Sequence, residues 1–111
     1  MVSRELLPNA GRVAEFLGVL GNEKRLIILS HLLESELSVS MIGDKVSLSQ
    51  SALSQHLAKL RAADLVRTRR DRQMIFYSCN STAVRELLPI LARIFGAEFH
   101  TVALPGISWL D

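Results

Sequence analysis

The chain has 111 residues and a mass of 12.3 kDa, the size of one ordinary domain. Hydrophobic residues make up 49% and charged residues 22%, which excludes the composition of a disordered protein. The one cysteine, Cys79, excludes an intrachain disulfide and suits a reducing compartment. No apolar run approaches the roughly 20 residues that span a bilayer, so we expect no membrane partner. A single cytoplasmic domain over residues 1–111 is therefore the expectation.

Basic residues are concentrated in one part of the chain. The net charge is +2, yet residues 50–80 carry six basic and two acidic residues, a local balance of +4. A polyanion would meet this region first, as in nucleic-acid-binding modules. On charge alone, the alternative is a solvated charged loop.

Hydrophobic spacing predicts four helices in the first 63 residues. They cover about residues 9–20, 23–34, 38–46 and 50–63. Asn22, Ser38 and Ser49 stand at N-cap positions, since each is a short polar residue at the start of a helical apolar pattern. The third and fourth helices, separated by a brief break, have the layout of a helix-turn-helix over residues 38–63.

The second half of the chain changes its period. Residues 65–78 alternate and are rich in β-branched and aromatic side chains, which predicts a β-hairpin wing with Asp71-Arg72 at its tip. A fifth helix is predicted over residues 81–96, where we expect Pro89 to kink or restart it. No state is assigned to the tail, residues 97–111. The fold class is thus mainly α with a small β-hairpin: a winged helix-turn-helix of five helices and a two-stranded wing.

Two helices carry apolar stripes that exceed what a domain of this size needs to close its core. They are the N-terminal helix within residues 1–20 and the C-terminal helix over 81–96, and we expect both to form a homodimer interface. The expected interface residues are Val13, Phe16, Leu17, Leu20, Leu87, Leu88, Leu91, Ile94 and Phe95. The alternative is that both stripes pack only onto their own domain.

Several runs of residues resemble the ArsR family of bacterial repressors. They are NEKRL at 22–26, ELSV at 36–39, LSQSALSQHLAKLR at 48–61, LV at 65–66 and the hairpin RTRRDRQMIFY at 67–77. The resemblance covers about residues 10–96 and is nearest to the branch that holds nodulation, biofilm and hemolysin regulators. It implies a homodimer, paired mainly through its first and last helices, that binds an operator and usually represses transcription.

The fourth helix carries the expected contacts to double-stranded DNA. Only side chains on its exposed N-terminal turns would reach base edges in the major groove. The expected base contacts are Gln50, Ser51, Ser54 and Gln55, and the expected phosphate or minor-groove contacts are Ser49, His56, Lys59, Arg61, Arg70 and Arg72. His56, which resembles a histidine common in the family, either contacts a phosphate or braces the helix. The alternative for the polar residues is that they only solvate an exposed helix.

No metal site and no cofactor are expected. Where metal-sensing relatives have cysteines at the start of the third helix, this chain has ELSVS at 36–40, and serine is a poor ligand for soft metals. Ser30 and Gly96 stand near the positions of the redox cysteines in nearer relatives. The inducer is not predicted. An organic ligand at the dimer interface and oxidation of Cys79 are the alternatives.

Other functional classes explain the sequence less well. An enzyme would need a nucleophile with a base, paired carboxylates or a metal, and no such set of residues stands out. A winged helix that only binds proteins is the stronger rival, although such modules more often present aromatic or apolar anchors. The acid-free outer face from Gln50 to Lys59 favours DNA. We therefore predict a sequence-specific transcriptional regulator, a homodimeric repressor of an inverted-repeat operator.

Overall fold

A computed structural model describes residues 2–96. The helices are α1 (Val2–Leu6), α2 (Ala10–Leu20), α3 (Glu23–Glu34), α4 (Val39–Lys45), α5 (Gln50–Ala62) and α6 (Thr82–Ile94), and the strands are β1 (Leu37–Ser38), β2 (Val66–Asp71) and β3 (Met74–Cys79). The described residues divide into two compact units, 2–81 and 82–96. The first unit contains the helix-turn-helix and the wing.

The three predicted N-caps are confirmed. In each case the side-chain oxygen accepts a hydrogen bond from the backbone N–H three residues further on, at 3.1 Å for Asn22, 3.2 Å for Ser38 and 3.1 Å for Ser49. Such a bond satisfies an amide that has no partner within its helix and stabilises it by about 1 kcal/mol. The starts of α3, α4 and α5 are therefore set by residues next to them in the chain.

The wing belongs to a three-stranded antiparallel sheet with the strand order β1-β3-β2. Strands β2 and β3 pair along their whole length, as the hairpin prediction requires. Strand β1 adds a third strand that was not predicted, with Leu37 paired to Tyr77. A strand of two residues has no alternation that sequence analysis can detect. The predicted two-stranded wing is therefore present, and β1 extends it to a three-stranded sheet.

The tip of the wing differs from the prediction by one residue. Asp71 pairs with Met74, so the two-residue turn consists of Arg72 and Gln73 rather than Asp71 and Arg72. Arg72 has a φ of 61°, in the left-handed region that favours glycine. The sequence did not reveal this register because both candidate turns are polar and contain no glycine.

The core of the first unit is aliphatic. Ile28, Leu29, Ile42 and Leu60 are all less than 2% exposed. Helix α5 buries Leu53, Leu57 and Leu60, whose spacing of three and four residues places them on one face. The opposite face of α5 is therefore turned outward.

Two prolines act differently from one another. The N-terminal helix predicted over about residues 9–20 corresponds to α2, and the short helix α1, which was not predicted, is separated from it by a 3-10 turn over Leu7–Asn9 that contains Pro8. Helix α6 runs through Pro89 as one helix, so the prediction that Pro89 restarts the helix is wrong. The proline removes only one hydrogen bond from the helix. Helix α6 ends before Gly96, where a Cβ atom would lie 2.6 Å from the carbonyl oxygen of Ala92. Residues 97–111 lie outside the described part of the chain.

Candidate nucleic-acid interface

The N-terminal half of α5 presents a polar surface. The four predicted base-contacting residues, Gln50, Ser51, Ser54 and Gln55, are all exposed, and so is the N-cap residue Ser49. No acidic residue occurs in the helix. Because its leucines are buried on the other side, this face is available to a large ligand such as the major groove of DNA.

A groove of about 540 Å³ lies between the start of α5 and the tip of the wing. Gln50 lines the helix side of this groove, and Gln73 and Met74 line the wing side. The helix and the wing tip thus flank one concave surface. Gln73 was not among the predicted site residues, and its signal in the sequence was only its place beside the predicted tip.

The strand register separates the arginines of the wing. Arg70 lies opposite Ile75, and Ile75 lines a second groove of about 540 Å³ against Ser54 of α5. Cross-strand partners share a face of the sheet, so Arg70 lies on the face turned toward α5. Arg70 and Arg72 are both exposed. Of the two predicted wing contacts, Arg70 therefore lies on the α5 side of the sheet, and Arg72 lies in the turn at the tip.

Arg69 occupies the other face of the sheet and is engaged there. Its Nη2 donates to the Glu36 carboxylate at 2.7 Å, and its Nε donates to both carboxylate oxygens at 3.1 and 3.2 Å. The guanidinium also lies 4.6 Å from the centre of the Phe76 ring, a cation–π distance. The hydrogen bonds from Arg69 lower the pKa of Glu36 below its usual value. The positive charge of Arg69 is therefore balanced by the carboxylate of Glu36.

The C-terminal half of α5 carries two further predicted contacts. Lys59 and Arg61 are exposed and stand in the last turns of the helix. Their positive charges suit the negative end of the helix dipole as well as a phosphate. Arg61 lines the groove between α5 and the hairpin, so it lies beside the wing.

His56 contacts a neighbouring helix. It is half-buried, and its Nδ1 lies 3.4 Å from Nη1 of Arg25 in α3. Burial lowers the pKa of His56, and the positive charge of Arg25 lowers it further. The contact supports the bracing role, one of the two that we considered for this residue.

The predicted dimer residues differ in how much surface they retain. Leu20 is 4% exposed and Leu88 is 9% exposed, so each has little surface left for a partner, and their place in the interface stays a prediction. The other seven keep partly or largely exposed side chains: Val13, Phe16, Leu17, Leu87, Leu91, Ile94 and Phe95. Among the described residues, five large apolar side chains outside the prediction are also exposed: Leu6, Leu7, Met41, Met74 and Ile90.

Cys79 is buried, with 6% of its surface exposed, and its Sγ lies 3.9 Å from the carbonyl oxygen of Ser81. Burial withholds this thiol from oxidants in solution. Between residues 2 and 96, no group of three or more His, Cys, Asp or Glu side chains is arranged to hold a metal ion. None of the helices in that range has the length and apolar character required to cross a bilayer.

Comparison with known proteins agrees with this geometry. Residues 22–68 match the family described as "Bacterial regulatory protein, arsR family". The chain is 52% identical over 89 residues to the nodulation protein NolR of Rhizobium meliloti. The aligned segment covers 80% of this chain and 73% of NolR. It is 44% identical over 92 residues to the transcriptional activator HlyU of Vibrio cholerae, with 83% and 85% covered.

The fold has a close counterpart among solved structures. The transcriptional repressor BigR from Xylella fastidiosa superimposes with a TM-score of 0.83 at 33% identity, over 87% of this chain and 99% of BigR. This similarity confirms the winged helix-turn-helix class, and the relatives confirm the predicted branch. The chain belongs to the ArsR family of bacterial regulatory proteins.

Proposed function

We propose that this chain is a homodimeric, sequence-specific DNA-binding repressor that acts in the cytoplasm on an inverted-repeat operator. One observation carries the proposal: an exposed, acid-free face of α5 lies beside a wing that presents Arg70 on the side turned toward α5 and exposes Arg72 at its tip. The relatives are named as a nodulation protein, an activator and a repressor, which supports a role in transcription. A regulator can repress transcription by occupying a promoter, which needs only DNA binding, so we propose repression.

Gln50, Ser51, Ser54 and Gln55 read bases in this proposal. A glutamine side chain pairs with adenine through two hydrogen bonds, whereas a serine hydroxyl donates to or accepts from several bases. The exposure of all four leaves these groups free for such bonds. The operator is therefore read through amides and hydroxyls, without a guanidinium in the first two turns of α5.

Charge supplies most of the affinity. Four basic residues neutralise phosphates or enter a narrow minor groove: Lys59, Arg61, Arg70 and Arg72. The sugar-phosphate backbone of the DNA is also contacted by Ser49 and by the N-terminus of α5. Each phosphate contact steepens the fall of the logarithm of affinity with the logarithm of salt concentration by about 0.9. Binding should therefore weaken strongly as salt rises.

The homodimer forms through α2 and α6. In α2, Leu17 is 51% exposed on the side that carries the half-buried Val13 and Phe16, and Phe95, just after α6, is 42% exposed. Apolar surface of this kind on two long helices is better covered by a second chain than by water. A two-fold axis places two recognition helices about 34 Å apart, which requires an inverted repeat in the DNA.

The signal that releases the repressor is neither a metal ion nor a dithiol in this proposal. Ser38 stands where metal-sensing relatives have a cysteine, and here it is 2% exposed with its oxygen engaged in capping α4. An organic ligand at the dimer interface is the alternative signal. Oxidation of Cys79 has little support because the thiol is buried.

Selection of bound fragments from a random duplex library, with the purified protein, tests the proposed function. We expect an enriched inverted repeat, and sedimentation should show a dimer at micromolar concentration that a chelator leaves intact. Gln55→Ala should relax the preference at particular positions, whereas the exposed Ser30→Ala on α3 should not. Failure to enrich any sequence would favour the rival function, a winged helix that binds only proteins.

A further inference from the structure

Arg25 joins three helices of the first unit. It is the third residue of α3, and its backbone N–H donates to the N-cap side chain of Asn22. Its side chain turns back toward the end of α2. There Nε donates to the carbonyl oxygen of Val19 at 2.6 Å, and Nη2 makes a longer contact of 3.5 Å with that of Gly18.

These bonds complete the C-terminus of α2. The last four carbonyl groups of an α-helix have no partner within the helix. In α2, backbone N–H groups just after the helix donate to the carbonyls of Leu17 and Leu20. Arg25 donates to the remaining two, and its positive charge faces the negative end of the helix dipole. The guanidinium is therefore held firmly at the end of α2.

The third contact of the same guanidinium reaches α5. Nη1 of Arg25 lies 3.4 Å from Nδ1 of His56. A guanidinium only donates hydrogen bonds and does not lose its proton in proteins. Nδ1 of His56 must therefore accept, so the imidazole is neutral and carries its proton on Nε2. The lowered pKa of His56 agrees with a neutral ring.

We propose that Arg25 is a positioning residue for DNA binding: its guanidinium links the end of α2 to the middle of α5 and holds His56 as the Nε2-protonated tautomer. This inference rests on the proposed function, in which α2 pairs the two chains and α5 enters the groove. The orientation of α5 relative to α2 then sets the separation of the two half-site contacts. A binding site tolerates errors of only about 0.5 Å or 10–20° in such a geometry.

Lysine cannot replace arginine in this arrangement. Both residues carry one positive charge, but the ammonium of lysine is a compact group, whereas the planar fork of Arg25 donates in several directions. Arg25→Lys therefore preserves charge and removes geometry. Arg69→Lys is a matched control on the outer face of the wing, where the guanidinium contacts Glu36 rather than α2 or α5.

The test combines operator binding with the state of the imidazole. We expect Arg25→Lys to bind a selected operator duplex about tenfold more weakly than the parent, because α5 is then less firmly preorganised for the groove in both chains of the dimer. The salt slope of binding should stay unchanged because no phosphate contact is lost. Nitrogen-15 NMR of the parent without DNA should show the proton of His56 on Nε2, and in Arg25→Lys a fraction should shift to Nδ1. Arg69→Lys should leave the tautomer as in the parent.

Three results would overturn the proposal: a His56 protonated on Nδ1 in the parent, a folded Arg25→Lys protein with parental affinity, or a salt slope that becomes less steep by about 1.8 in Arg25→Lys, which would make Arg25 a direct phosphate contact in each chain of the dimer. If Arg25→Lys fails to fold, His56→Asn, which retains an acceptor near Nδ1, should bind more tightly than His56→Leu. Equal affinities of those two variants would refute the link. The two proposals can fail separately, because the NMR measurement needs no DNA. A failed library selection would refute the proposed function, whereas the tautomer of His56 would still test the contact with Arg25.

Discussion

Arg72 combines an unfavourable backbone conformation with a suitable place for DNA contact. Its φ of 61° is in the left-handed region, where a residue with a Cβ costs about 1–2 kcal/mol relative to glycine. Residues held in such conformations are concentrated at functional sites. We predict that Arg72→Gly raises the stability of the protein and weakens its binding to DNA, two effects of opposite sign from one substitution.

The expected sizes follow from the structure. Arg72→Gly removes the cost of the left-handed conformation. The greater entropy of glycine in the unfolded chain offsets about 0.5–1 kcal/mol of this gain, so the unfolding free energy rises by about 0.5–1 kcal/mol per chain. Loss of one charge-assisted hydrogen bond costs roughly 1.5 kcal/mol of binding free energy, about tenfold in affinity. A dimer loses the contact twice, so the expected loss is about a hundredfold and the salt slope becomes less steep by about 1.8.

Urea unfolding followed by circular dichroism measures the stability, at equal chain concentration because a dimer is stabilised by association. Fluorescence anisotropy with an operator duplex at several salt concentrations measures affinity and slope. Arg72→Ala is the matched control, since it removes the guanidinium and retains the unfavourable φ. Arg72→Lys should largely retain affinity. Arg69→Gln should leave the slope unchanged because Glu36 already neutralises Arg69.

Two outcomes would refute this reasoning. An Arg72→Gly protein that binds the operator with the parental affinity and slope would show that the guanidinium does not contact DNA. An Arg72→Gly protein less stable than Arg72→Ala would show that the turn does not favour glycine, and hence that the left-handed conformation is not the source of the cost.

Three further predictions concern α5 and its ends. Asp64, with a φ of 60° just after the helix, should gain about 0.5 kcal/mol of unfolding free energy on replacement by glycine, with operator affinity unchanged; a loss of stability would contradict this. Ser49→Ala should lower the unfolding free energy by about 1 kcal/mol, whereas Ser49→Asp should retain it, both measured by urea unfolding. As the pH falls, His56 takes up a proton in the unfolded chain near its usual pKa of 6.5, and in the folded chain only at a lower pH. The stability of the fold should therefore decline as the pH falls below 6.5. His56→Gln should decline less over the same range, and parallel curves would disprove the assignment.

The arginines of the wing show where sequence information ends. Arg69 and Arg70 are adjacent and chemically identical, and both stand in a basic run that predicts DNA binding. The register of the sheet places them on opposite faces, and only Arg69 reaches Glu36, which lies 33 residues away in the chain. No local pattern distinguishes a neutralised arginine from an available one, because the distinction depends on a partner brought close by folding.

Local chemistry determined most of the architecture. The caps at Asn22, Ser38 and Ser49 and the buried face of α5 depend on residues within one or two turns, so the sequence was enough to predict them. The contact of Arg25 with His56, 31 residues apart, the pairing of β1 with β3 and the conformation of Arg72 were decided by the tertiary structure. Each of these depends on distances between segments that are far apart in the chain, and such distances are established only when the core packs.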